Sequence, residues 1–338
     1  MAVALEAGTF GLYISDNAVN WVRKQQPKGI LTQHLNFTWN QIALSGNGNN
    51  LVAILRPAVT DAEMRDLIDE AGGDDLMNFY AVYTSRDKGD SWTFATLPDI
   101  RLHNGGTWSI TIGFTLVNGI TMTPDGTRVT LALYGKGIFT SINGGKSFTL
   151  SYSGPKDMYA AWRGVASSSD GKNLAAIYEY GVYTSTNYGL AWKAVPEGRF
   201  DIYSYIFHWI KIASSSDGKL LLALNAIFGI TMSTDGGYSW QHEGSRTVSF
   251  NLDEGVRRTV NFTSVAMSAS GEVQAVASQS QIYLSTDMGA SWGRPNAFIN
   301  WDLNWTSVAV SADGKRIAAS VYGGNIYRSS DAGSTWFC

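Results

Sequence analysis

Short runs of alternating apolar and polar residues recur along the chain, and each leads into a polar stretch rich in Ser, Asp and Gly. Ile282-Tyr283-Leu284, Ile326-Tyr327-Arg328 and Val182-Tyr183-Thr184 are three of these runs. Alternation with a period of two predicts half-buried strands, and the polar stretch after each predicts a tight turn. The stretch follows the pattern S-x-D-x-G-x-x-W. It stands as Ser85, Asp87, Gly89, Trp92, and again from Ser233 to Trp240, Ser285 to Trp292 and Ser329 to Trp336. Two copies carry Asn for Asp: Ser141, Asn143, Gly145, Phe148 and Ser185, Asn187, Gly189, Trp192. A first copy, from Ser15 through Asp16 to Trp21, is one residue short and lacks the Gly. A short carboxylate or amide accepts backbone N–H groups inside its own turn. Gly supplies a positive φ that a Cβ would penalise. The ring buries a large apolar area and pins the turn.

A second element precedes each copy from the second onward. It reads W-x-x-V-A-x-S-x-D-G-K, as in Trp305 to Lys315, Trp209 to Lys219 and Trp162 to Lys172, with looser forms at Phe262 to Gly271, Val117 to Gly126 and Trp39 to Gly48. A small apolar run follows, such as Leu174-Ala175-Ala176. One unit therefore predicts four strands, A to D. The D-G turn joins A to B and the S-x-D-x-G-x-x-W turn joins C to D. Both turns fall at one end of the unit, and the B–C loops and D–A connections at the other. The turn-closing aromatics stand at 21, 92, 148, 192, 240, 292 and 336, so units run from 44 residues (148 to 192) to 71 (21 to 92). Tandem four-stranded units of this length are the mark of a propeller.

The repeated turn is similar to the Asp-box, and the chain resembles the BNR/Asp-box repeat propellers, the superfamily of sialidase-like and sortilin-like propellers, over nearly all of its 338 residues. The resemblance implies an all-β, seven-bladed β-propeller with Asp-box hairpins, and a single domain over 1–338. Six blades plus an extra hairpin is the alternative, because the first turn has room only for strands B, C and D around it. The resemblance also implies that ligands enter at the rim of the B–C loops and D–A connections, the loop rim. It does not choose an activity, since sialidases, xyloglucanases, a photosystem II assembly factor and sortilin-type receptors share the box.

Composition narrows the field. Lys plus Arg is 25 against Asp plus Glu 28, a net charge of −3. No basic face of the kind a nucleic-acid binder shows is expected. Charged residues make up 16%, below the roughly 25% of ordinary domains. No apolar run is long enough for a membrane span. The opening Met-Ala-Val-Ala-Leu-Glu has neither a basic n-region nor a long h-region, so no secretory leader is expected. The one cysteine, Cys338, allows no internal disulfide. These features describe a soluble chain without assigning a compartment.

One insertion breaks the repeat, between strands B and C of the second unit, at 57–78. Thr60 and Glu63 form a capping box, Met64, Leu67 and Ile68 share a helical face, and Gly72 and Gly73 end it. Its seven acidic residues against Arg65 predict an acidic helix at the loop rim.

Candidate chemistry gathers in the loop-rim connections. Trp108 and Trp301 belong to neither repeated element and suit stacking against sugar rings. Tyr180, Tyr203, Arg199 and Arg163 complete a candidate ligand-binding set. Glu179, Glu197, Asp201, Asp253 and Glu254 are the candidate carboxylates for glycoside hydrolysis, which needs a pair. His34, His103 and His208 also fall there, without metal-ligand spacing, so no metal is predicted and no cofactor. A sialidase needs an F-R-I-P-like segment, and the nearest match, Leu55-Arg56-Pro57, lacks the Ile and follows strand B. The strand-A aromatics read as packing between blades. The leading expectation is a non-catalytic recognition propeller for a carbohydrate or protein partner. A glycoside hydrolase of sialidase-like architecture and a structural or assembly protein are the alternatives.

Overall fold

The computed structural model describes residues 2–4, 12–15, 20, 22–25, 37–57, 81–98, 119–133, 137–154, 162–178, 181–196, 209–225, 229–242, 261–295 and 303–338. These form antiparallel sheets in strict sequence order. The first sheet holds β1 (Ala2–Ala4), β2 (Leu12–Ile14) and β3 (Val22–Lys24), and the second β4 (Phe37–Leu44), β5 (Leu51–Pro57), β6 (Ala81–Ser85) and β7 (Thr93–Phe94). The third holds β8 (Gly119–Met122), β9 (Val129–Leu133), β10 (Gly137–Ser141) and β11 (Thr149–Tyr152), and the fourth β12 (Trp162–Ser167), β13 (Leu174–Tyr178), β14 (Gly181–Ser185) and β15 (Lys193–Ala194). The fifth holds β16 (Trp209–Ser214), β17 (Leu221–Asn225), β18 (Gly229–Ser233) and β19 (Gln241–His242). The sixth is β20 (Phe262–Met267), β21 (Gln274–Ser278) and β22 (Ile282–Ser285), and the seventh β23 (Trp305–Val310), β24 (Ile317–Val321) and β25 (Ile326–Ser329). In the last two sheets the fourth strand shrinks to single bridges, Leu284 with Gly293 and Arg328 with Phe337.

The architecture is all-β and propeller-like. The first strand of each sheet from β4 onward packs against the first strand of the next: β4 on β8, β8 on β12, β12 on β16, β16 on β20 and β20 on β23. The first sheet joins through β1, which packs on β4 and pairs antiparallel with β2. It has three strands, in keeping with the room for only B, C and D around the first turn. β5 runs through Pro57, which pairs with Phe37, so the strand occupies the first residue assigned to the acidic insertion. The remainder of that insertion lies outside the described residues.

The core is divided among the sheet interfaces. Between the fourth and fifth sheets lie Ile177, Val182, Trp209, Leu221 and Trp240. Between the sixth and seventh lie Ala275, Ile282, Trp305, Ile317 and Trp336. In each case the strand-A aromatic and the turn-closing aromatic of the later sheet enter the same interface. Trp209 and Trp240 meet at 5.8 Å between ring centroids, Trp39 and Trp92 at 5.1 Å. The strand-A rings are buried, from 0% exposure at Trp162 and Trp305 to 7% at Phe262, and they glue sheets together rather than line a pocket.

The turns explain the repeat. In the second sheet Ser85 Oγ donates to Asp87 Oδ1 (2.8 Å) and accepts the Gly89 N–H (2.8 Å), while Asp87 Oδ1 accepts the Ser91 N–H (2.9 Å). The other carboxylate oxygen accepts the Ser91 hydroxyl. The same pattern holds around Asp235, Asp287 and Asp331. The Asn copies keep the main-chain bond and change the side-chain one. Asn143 Nδ2 donates to Ser147 Oγ (2.8 Å), and at Asn187 the equivalent residue is Ala191, which has no hydroxyl to offer a carboxylate. Gly145 shows why the glycine is needed: φ is +87°, and a Cβ would lie 2.6 Å from Val52 Cγ2. The A–B turns use the same chemistry: Ser168 Oγ donates to Asp170 and accepts the Asn173 N–H (2.9 Å), and Ser215 and Ser311 repeat it.

Main-chain bonds link one A–B turn to the next. The N–H groups of Gly46, Ser169, Ser216 and Ala269 donate to the carbonyls of Pro124, Ser216, Ala269 and Ala312. Pro124 occupies the equivalent place in the third sheet and has no N–H, so the link from the third sheet to the fourth cannot form.

The turn carboxyls titrate low. Hydrogen bonds from Ser91 hold Asp87 at about 2, and bonds from Thr335 hold Asp331 at about 2, against an ordinary 3.8. Burial works against Asp235 and Asp287 and is their largest single influence, but the combined hydrogen bonds from Ser239 and Ser291 and their neighbours outweigh it. A carboxyl depressed in the folded state contributes stability that is full above its unfolded value and lost as pH falls through the folded one. The melting temperature is therefore expected to drop between about pH 4 and pH 2, and an Asp87→Asn/Asp331→Asn variant to show a shallower acid limb. Melting curves across that range check it; identical acid limbs would refute the assignment.

Candidate functional site at the loop rim

Antiparallel pairing puts the A–B and C–D turns at one end of every sheet. The starts of the first strands, the ends of the second and the starts of the third therefore lie at the loop rim. A β-bulge recurs there. Register shifts directly after Trp39, Trp162, Trp209, Phe262 and Trp305, so that Asn40, Arg163, Ile210, Thr263 and Thr306 are the extra residues. A bulge bends its strand and re-aims side chains, and bulges are over-represented beside binding sites. Here it lets an aromatic anchor point into the sheet interface while the next residue stands off the ladder.

Four of these five bulged positions hold polar residues, Ile210 being the apolar one. Asn40 is 7% exposed and its Oδ1 has no hydrogen-bond partner among the described residues, nor has the buried Thr263 Oγ1. Thr306 Oγ1 instead meets Ser320 Oγ at 2.8 Å. Arg163 and, one residue past the bulge, Lys211 are both half-buried. Buried polar atoms without partners are uncommon and call for a reason.

Beside Arg163 four rings cluster between the third and fourth sheets. Tyr183 lies 5.2 Å from Tyr152, 5.5 Å from Trp162 and 5.5 Å from Tyr178, centroid to centroid. Burial, with a hydrogen bond to Tyr152, pushes the Tyr183 hydroxyl well above the tyrosine range, so it stays neutral at any physiological pH. The cluster is a packed wall rather than an open stacking platform.

Of the residues expected to bind ligand, Arg163 is the one the structure places. Trp108, Trp301, Tyr180, Tyr203 and Arg199 lie outside the described residues. So do Glu179, Glu197, Asp201, Asp253 and Glu254, and His34, His103 and His208. Tyr322 is a residue that the sequence reasoning missed. It is 59% exposed in the β24–β25 loop, and its N–H donates to Asn304 (2.7 Å). Its signal is a repeat of its own: Val321-Tyr322-Gly323 echoes Leu133-Tyr134-Gly135 at the same place in the third unit.

Among the described residues every Asp and Glu sits at the opposite, turn rim, and no group of three His, Cys, Asp or Glu is placed to hold a metal ion. No helix among them is long and apolar enough to cross a membrane.

No protein-family model matches the sequence. Comparison with curated proteins returns no match either. Solved structures do match. The chain is similar to the GH74 enzyme of Niastella koreensis, with a TM-score of 0.61 and 15% identity over 96% of this chain, and it spans 50% of that protein's length. It is similar to YCF48 bound to D1 peptide, with a TM-score of 0.53 and 14% identity over 94% of this chain and 84% of that one. YCF48 from Cyanidioschyzon merolae gives 0.52 and 12% over 91% and 86%. At such identities the likeness is one of fold, and it includes both glycoside hydrolases and YCF48.

Proposed function

We propose that the protein is a non-catalytic recognition propeller of seven Asp-box blades, which binds a protein or carbohydrate partner at the loop rim. The observation that supports this reading is the recurrent bulge. It gathers polar side chains at the loop-rim ends of the innermost strands, with Asn40 Oδ1 and Thr263 Oγ1 left without partners among the described residues. At the turn rim, by contrast, the six repeated C–D turns hold their Asp or Asn in internal hydrogen bonds. The ionisable side chains described beside the bulges are Arg163 and Lys211, which suits a partner that presents a carboxylate. Tyr322 adds an exposed ring of the kind that anchors interfaces. YCF48 bound to D1 peptide is a protein of similar fold with a peptide, in keeping with a polypeptide partner.

A glycan array and a tiled peptide array, probed with the full chain, test the proposal. Binders are expected on one of them. Tyr322→Ala and Arg163→Ala are each expected to weaken binding by about 1–3 kcal/mol, about five- to 150-fold. Trp108→Ala and Trp301→Ala probe the expected contacts outside the described residues. Binding that survives all four changes at full strength rejects the loop rim.

A further inference from the structure

The turn rim of the third and fourth sheets differs from the rest of that rim in charge and linkage. These are the two sheets whose C–D turns carry Asn143 and Asn187 in place of Asp. Across their turns (123–128, 141–150, 168–173 and 185–194), Arg128, Lys146, Lys172 and Lys193 outnumber Asp125 and Asp170. The corresponding turns of the fifth and sixth sheets carry Lys219 and Arg294 against Asp217, Asp235, Glu272 and Asp287. Among the described residues none of the four cations on the third and fourth sheets is in an ion pair. This is a positive corner on a chain of net charge −3.

The same corner is apolar at its tips. Ile142 is 75% exposed, Leu190 82% and Tyr188 37%. The Arg128 guanidinium lies 4.2 Å over the Tyr188 ring, and the Tyr188 N–H donates to the Lys172 carbonyl (3.0 Å). The Gly144 N–H donates to the Thr127 carbonyl (2.7 Å), which joins the turn bearing Ile142 and Lys146 to that of Arg128. Pro124 interrupts the turn-to-turn main-chain links here, and a narrow cleft opens between the two sheets beside Arg128, Tyr188, Thr123 and Gly171. Tyr238 and Met288 are also exposed on the fifth- and sixth-sheet turns, but beside Asp235 and Asp287, whereas Ile142, Tyr188 and Leu190 share their turns with cations that are in no ion pair among the described residues.

We propose that this corner is a second binding surface, separate from the loop rim, which docks an acidic polypeptide segment with apolar side chains among its carboxylates. The apolar residues pack against Tyr188, Leu190 and Ile142. The carboxylates face Arg128, Lys146 and Lys172. Charge complementarity selects the occupant: the loss of two turn carboxylates removes the negative field that repels an acidic chain from the fifth and sixth sheets. Lysines placed around an apolar strip steer the acidic segment in and fix its register, and the strip supplies desolvated contact.

The test uses an array of peptides of one length in which Asp and Glu alternate with Leu and Phe. Matched sets carry Lys in place of the acids, or Ser in place of the apolar residues. The full chain is expected to bind the acidic–apolar set and neither control, more weakly at high salt. Lys146→Glu/Lys172→Glu is expected to lower the affinity at least about tenfold, and Ile142→Ser/Leu190→Ser to weaken it independently. Tyr322→Ala and Arg163→Ala leave this binding unchanged, which separates it from the loop-rim reading. Should the charge-reversed chain fail to fold, the serine variant decides. Equal binding to the three sets, or binding indifferent to the turn-rim variants, overturns the proposal. So does capture by phosphatidylserine vesicles with no peptide retained.

Discussion

Trp162→Ala is expected to destabilise the protein by about 3–5 kcal/mol. The ring is fully buried at the interface between the third and fourth sheets, with Ala132 and Ile138 on one side and Val165 and Ala176 on the other. It meets Tyr178 at 5.7 Å and Tyr183 at 5.5 Å between centroids. Truncation leaves a cavity that two sheets cannot both collapse to fill, because each is also held by its other neighbour. The indole N–H has no hydrogen-bond partner among the described residues, so the cost is one of volume and contact rather than of polarity. Trp162→Phe retains a ring and is expected to lose less than half as much. Urea unfolding with an unchanged slope measures both. A loss below about 1 kcal/mol for the alanine variant would mean that the ring does not sit between the sheets.

Gly119→Ala is expected to have the second-largest effect. The residue has an ordinary backbone conformation, so the argument is one of space. A Cβ there would lie 2.5 Å from the Val165 nitrogen, 2.6 Å from the Gly164 Cα and 2.7 Å from the Gly164 carbonyl carbon. These are main-chain atoms with no rotamer to change. β8 and β12 must separate, which opens the inner edge of two sheets. Overpacking of this kind costs about 1–3 kcal/mol and occasionally more. Gly293 is the control: nothing lies within 4 Å of its Cβ position, and Gly293→Ala is expected to fall within about 0.5 kcal/mol of the parent. Equal melting temperatures for the two variants would show that the inner strands are not in close contact.

The fold is legible in the sequence because its signals are local. The spacing from Ser85 to Asp87 to Gly89 is set by hydrogen bonds inside one turn, and such spacing survives in the sequence wherever the turn survives. Spacing alone does not reveal the role of the serine, whose Oγ both donates to the Asp and accepts the glycine N–H. S-x-D stands in both repeats, but the spacing does not reveal that the serine makes the same pair of bonds in the two kinds of turn. The bulges after Trp39 and Trp305 are properties of register against a partner strand, and one strand read alone cannot show them. The aromatic openers read as packing between sheets, and their burial agrees. The candidate site is far less legible. Its expected residues are chosen by type in connections that do not repeat, where no periodicity constrains position. Tyr322 stands in a short loop that does repeat, but a tyrosine beside a glycine looks the same in sequence whether its ring is buried or exposed.

The chain of A–B turns joined through main-chain groups has a consequence for how such a protein changes over time. A link made from an amide and a carbonyl is blind to side chains, which is why Gly46, Ser169, Ser216 and Ala269 all serve as donors. Units can therefore be duplicated, exchanged or lost without any matched pair of side chains having to change together. Proline is the one substitution the linkage does not tolerate silently. Where Pro124 stands, the seam between two units lacks this link, and that seam is free to acquire a character of its own.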